Sequence, residues 1–110
     1  MTDSVVNLTK ENFAAHINDR PFAVVDFWAP WCGPCKAMAP EFERAAAALE
    51  PEARLVKVNV DEEPALAERY RVRGIPYVAM FRDGKLAEQV VGYRPKAALE
   101  AGLGLNGKLV

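Results

Sequence analysis

The only two cysteines in 110 residues, Cys32 and Cys35, are spaced C-x-x-C with Gly33 and Pro34 between them, and an acid, Asp26, lies a few residues upstream. A thiolate attacks a disulfide, so two thiols at this spacing can divide an exchange reaction between them. Cys32, at the more exposed N-terminal position, would attack and form a mixed disulfide. Cys35 would then displace the reduced substrate and leave an internal disulfide. A purely structural bridge is the dull alternative: closing so short a loop removes little unfolded-state entropy, and disulfides are rare in a reducing compartment. Asp26 stands in an apolar run, where burial penalises the carboxylate, raises its pKa and suits it to exchange a proton near neutral pH.

The elements that must position these groups follow from the pattern around them. Val24, Val25, Phe27 and Trp28 occupy both side-chain parities, as in a strand covered on both faces. Gly33 and Pro34 suit a turn into a helix, and Met38, Phe42, Ala45, Ala46 and Leu49 recur at helical spacing. The cysteines thus fall at a helix N-terminus, whose unpaired N–H groups and dipole favour an anion at Cys32. Pro40 predicts a bend in that helix, and Glu50 and Pro51 its end. A strand over Leu55 to Val60 completes a parallel strand–helix–strand unit, leaving the cysteines at the carboxyl edge, where ligands meet an open α/β sheet. Lys57 on that neighbouring strand is a partner that could satisfy Asp26 structurally.

Earlier in the chain, Val5 to Leu8 reads as a strand, with Thr9 capping a helix from about Lys10 to Asn18 and Glu11 in its first turn; Arg20 and Pro21 break the pattern. Later, Asp61 or Glu63 can cap a short helix from Pro64 to Tyr70, Tyr77 to Phe81 and Leu86 to Val91 form a hairpin about Asp83-Gly84, and Pro95 opens a final helix, with fraying expected from about Asn106. The order is βαβαβαββα, an α/β chain of one domain over residues 1–110, without repeat or linker. A net charge of -1 offers no basic patch for nucleic acid or an anionic membrane. No apolar run reaches membrane-span length and Met1 to Lys10 lacks a signal pattern, so a cytoplasmic location is expected. His16, the only histidine, and Lys36 read as solvated surface, and Trp28 as core.

The segment W-C-G-P-C, the preceding V-D-F-W and the later G-I-P, together with Trp31, Pro40, Lys57, Pro76 and Gly92 in order from Val5 to about Leu103, resemble thioredoxin. C-x-x-C beside a βαβ pattern is an established signal for that family, and its cysteine is an established case of a lowered pKa. The resemblance implies the thioredoxin fold, a five-stranded mixed β-sheet flanked by four α-helices, with a cis peptide at Ile75–Pro76 beside the cysteines. It also implies reduction of protein disulfides, with Asp26 passing a proton through a water and Gly33, Pro34, Lys57 and Pro76 in support. Trp31, Ile75 and Gly92, with Pro76, would form an apolar platform for substrate, unless Trp31 and Ile75 simply cover the sheet edge. Electrons would come from an NADPH-dependent thioredoxin reductase, with no bound cofactor and no metal; the partners would be that reductase and disulfide-containing proteins, and the protein a monomer. Tyr77 and Tyr93 stand where threonine and a smaller residue are common, and are expected near the substrate rim. Two other classes remain open at this point. A zinc module would need two further ligands, which only a dimer pairing two C-x-x-C motifs could supply; a non-catalytic docking subunit would keep its activity without either sulfur.

Overall fold

The computed structural model describes residues 5–19, 21–49 and 53–103. The break at Arg20, the helix stop at Glu50 and Pro51, and the fraying from Asn106 lie outside them. In chain order the elements are β1 (Val6–Asn7), α1 (Phe13–Ile17), β2 (Phe22–Trp28), α2 (Gly33–Leu49), β3 (Ala53–Asn59), α3 (Pro64–Arg69), β4 (Tyr77–Arg82), β5 (Lys85–Val91) and α4 (Lys96–Gly102). This is the order read from the sequence.

The strands form one mixed sheet in the order β1-β3-β2-β4-β5. β3 runs parallel to both β1 and β2, whereas β4 is antiparallel to β2 and to β5. Alternation along β2 explains the two cores. Val24 faces α2 and α4, packing with Met38, Phe42 and Leu99. Val25 and Phe27 face the other way, into a layer with Phe13 and Ile17 of α1, Leu66 of α3 and Phe81. Tyr70 closes that layer edge-on to Phe81 at 5.4 Å between ring centroids. With both faces covered, β2 can be almost continuously apolar, and the acid at Asp26 is the exception.

The turns follow local chemistry. Asp83 and Gly84 have φ of 54° and 84°, the left-handed pair that a two-residue hairpin needs. Along this hairpin Met80 pairs with Glu88 but Phe81 with Leu86, so Ala87 is an extra residue bulging from β5. At the end of α3, Arg71 donates to the Glu68 carbonyl at 3.1 Å and Val72 to the Ala67 carbonyl at 2.9 Å. These two bonds make a Schellman cap, with Arg71 at φ 57° in the position glycine usually holds.

α1 is shorter than expected. Asn12 accepts the Thr9 N–H on its Oδ1 at 2.8 Å, and the Asn12 N–H donates to the Thr9 carbonyl at 3.2 Å. This closed turn competes with helix, so Lys10 and Glu11 stay outside it and the expected Thr9 cap is not made. At the start of α3, Glu63 occupies the cap position without a side-chain bond to the helix; its Oε1 accepts the Lys10 N–H instead, at 3.1 Å. Pro40 lies inside α2 as expected and withholds a donor from the Lys36 carbonyl one turn back. No helix among the described residues is long and apolar enough to cross a membrane.

Candidate active site

β2 ends at Trp28, and Ala29, Pro30 and Trp31 lead to Cys32, the residue immediately ahead of α2. Its carbonyl accepts the Lys36 N–H at 3.1 Å, the first bond of the helix, and its sulfur accepts the Cys35 N–H at 3.2 Å. Cys32 therefore caps the helix through Sγ, as serine or aspartate does through oxygen. Gly33 and Pro34 fill the first two helical positions, where a missing proline N–H costs nothing. Cys32 and Cys35 are joined by a disulfide, with 5.2 Å between their Cα atoms.

The expected difference in exposure between the sulfurs is not seen in this oxidised state: Cys32 is 4% and Cys35 3% exposed. Packing explains it, since the bridge draws both into one small cluster with Ala29, flanked by Trp28, Val60 and Ile75. What distinguishes them is polarity. Cys32 Sγ receives an amide N–H and lies 3.9 Å from the Ile75 carbonyl oxygen.

Asp26 sits in β2 on the face covered by α2 and is 2% exposed. Its Oδ1 has no hydrogen-bond partner among the described residues. Loss of hydration raises its pKa to about 7, outweighing the attraction of Lys57, which acts the other way. Lys57 is the in-register neighbour on β3, yet its ammonium lies 5.0 Å from the ring centroid of Trp28. The neighbouring cation therefore tempers the acid without relieving it.

The peptide at Ile75–Pro76 is cis. Pro76 is buried beside the loop, and its carbonyl accepts the Gly92 N–H at 2.8 Å, which brings Gly92 against it. Trp31 is 68% exposed, with its indole N–H bonded to Asp61 Oδ2 at 2.9 Å. Trp31 and Ile75 line one end of a groove of about 430 Å3 that runs toward α3. Pro76 and Gly92 lie outside that groove.

Three further expectations need correction. Tyr77 is not at the rim: as the first residue of β4 it takes the inward parity and packs edge-on to Phe27 at 5.7 Å, where burial raises its pKa. Tyr93 does reach the surface, at 43% exposure. Trp28 is only half-buried, donating to Asn7 Oδ1 at 2.9 Å. His16 is not idle surface, because Arg54, which can only donate, bonds its Nδ1 at 2.9 Å.

Val60, Asn59 and Asp61 escaped the sequence reading as neighbours of the site. Asn59 is buried and holds the turn after β3 by accepting the Asp61 N–H at 2.9 Å. Their position just past a parallel strand, at the sheet's carboxyl edge, was the available signal. Among the described residues, no group of three or more His, Cys, Asp or Glu is placed to hold a metal ion.

Residues 4–104 match the family model described as Thioredoxin. The chain is 42% identical over 96 residues to a thioredoxin of Staphylococcus aureus, covering 87% of this chain and 91% of the relative. Among solved structures, mitochondrial thioredoxin 3 of Saccharomyces cerevisiae in its oxidised form aligns with a TM-score of 0.83 at 36% identity, covering 92% of this chain and 94% of that one. Plasmodium falciparum thioredoxin aligns equally well, at 0.83 with 28% identity, covering 91% and 97% respectively.

Proposed function

The chain belongs to the thioredoxin family and is a thiol–disulfide oxidoreductase, and from that premise we propose how its residues divide the work. In the reduced protein Cys32 carries the thiolate, held by the Cys35 N–H and the start of α2. It attacks one sulfur of a substrate disulfide; the substrate's S–S bond breaks, its second sulfur leaves as thiolate, and a mixed disulfide with Cys32 forms. Cys35 loses its proton to ionised Asp26 through a water and attacks Cys32 Sγ. The mixed disulfide breaks, the substrate departs with both sulfurs reduced, and two electrons have passed from the protein, which is left as the Cys32–Cys35 disulfide.

Gly33 and Pro34 keep the helix start tight, Lys57 limits how far Asp26 is driven from ionisation, and Pro76 shapes the wall beside the sulfurs. Trp31, Ile75 and Gly92 hold the substrate backbone. The exchange itself uses only the chain's own sulfurs and needs no bound cofactor. A separate NADPH-dependent thioredoxin reductase returns the dithiol, and the protein works as a cytoplasmic monomer whose single domain spans residues 1–110.

The observation carrying this reading is the bond between two sulfurs at the cap of a helix, with a buried, unpartnered acid on the strand feeding it. Cys35→Ser tests it. This variant should accumulate disulfide-containing proteins on Cys32 as adducts that dithiothreitol releases, while Cys32→Ser captures none. Equal capture by both variants, or by neither, would defeat the assignment of roles.

A further inference from the structure

The groove lined by Trp31 and Ile75 is lined also by Val60, Ala67 and Val72 and by two arginines, Arg71 and Arg73. Its volume of about 430 Å3 falls within the range of clefts that take small ligands or short peptide segments. Its near end is already at the chemistry, since the Ile75 carbonyl lies 3.9 Å from Cys32 Sγ.

The charges around the groove are unequal. Arg71 and Arg73 are exposed, and neither side chain makes a hydrogen bond or ion pair among the described residues. Arg69 is directed elsewhere, onto the Tyr70 ring at 5.4 Å. Glu68 is the one carboxylate among the residues lining the groove; Asp61, which accepts the Trp31 indole N–H, stands outside the lining and keeps its charge. The lining itself therefore carries two guanidiniums, Arg71 and Arg73, against one carboxylate. Arg71, moreover, is held at φ 57° by the cap that ends α3, where glycine would be less strained.

We propose that this groove selects disulfide polypeptides bearing an aspartate or glutamate close to the attacked cysteine, with the apolar floor taking the intervening side chain and Arg71 and Arg73 taking the carboxylate. The inference rests on the oxidoreductase reading and adds a substrate preference to it. A guanidinium matches a carboxylate in geometry as well as charge.

The test uses two synthetic peptide disulfides of identical apolar sequence, one with aspartate flanking each cysteine and one with asparagine. Rates with the pre-reduced full-length protein are divided by those with dithiothreitol, which cancels the effect of the flanking charge on the leaving thiol. The acidic peptide should react about threefold to tenfold faster at low salt, the size of one or two exposed ion pairs. That ratio should fall toward one in Arg71→Gln/Arg73→Gln and in about 1 M salt, where screening acts within about 3 Å. A ratio of one in the native protein, or one unchanged by the double substitution, overturns the groove's role and leaves the redox assignment standing. Failure to reduce either peptide overturns both.

Discussion

Asp26 concentrates the conflict between stability and chemistry in one side chain. Its pKa rises from 3.8 unfolded to about 7 in the folded protein, because the charged form is deprived of water. The stability associated with its proton is full below the unfolded value, is lost as pH climbs through the folded value, and stays absent above it. At 1.36 kcal/mol per pH unit the loss approaches about 4 kcal/mol. Asp26→Asn should remove this dependence, so urea unfolding of the oxidised proteins should show the variant gaining on the native chain between pH 5 and pH 8. The same change should slow release of substrate from the mixed disulfide while the fold stays intact. Unaltered turnover across pH would remove Asp26 from the mechanism. Cys32, Cys35 and Asp26 were legible because their types are rare in their surroundings and their spacing carries meaning. Tyr77 was not: whether the first residue of a strand points in or out depends on register with its neighbours, which Phe27 and Val91 decide. His16 was misread for a similar reason, its partner Arg54 being on β3, remote in sequence.

At the scale of elements, all nine were visible in apolar periodicity and in proline and glycine punctuation, and their ends were less so. The start of α1 is set by the Thr9–Asn12 turn, a local competition that periodicity does not report. The groove beside Trp31 was likewise hidden, because it is made where α3 and the loop to β4 meet the end of β3. The cap of α3 yields a prediction of its own. Left-handed backbone costs a side-chain-bearing residue about 1–2 kcal/mol, partly offset by glycine's greater freedom in the unfolded chain. Arg71→Gly should therefore raise the unfolding free energy by about 0.5–1 kcal/mol. A fall in denaturation midpoint would mean that the arginine makes a stabilising contact outweighing the strain.

For the molecule as a whole, stability resides in the two apolar layers more than in the covalent bridge. A loop closed by residues only three apart in sequence gives about 2 kcal/mol of chain-entropy stabilisation. Phe42, 1% exposed on the buried face of α2, should cost about 3–5 kcal/mol when cut to alanine. Denaturant titrations should accordingly show Phe42→Ala destabilising the oxidised protein more than reduction destabilises the native one. The layered arrangement was readable from strand parity and helix spacing, and the cis geometry of Ile75–Pro76 came only through family resemblance, since proline permits it without requiring it.

The extra residue in β5 reaches beyond the hairpin. β5 is the sheet's outermost strand on that side, and its outward backbone groups offer themselves to any passing chain. By dislocating the strand at Ala87, between Leu86 and Glu88, the sequence interrupts the straight ladder that fibrous stacking requires, and the exposed charges of Lys85 and Glu88 penalise a second copy laid alongside. A small irregularity thus guards a crowded solution of this protein against turning into aggregate.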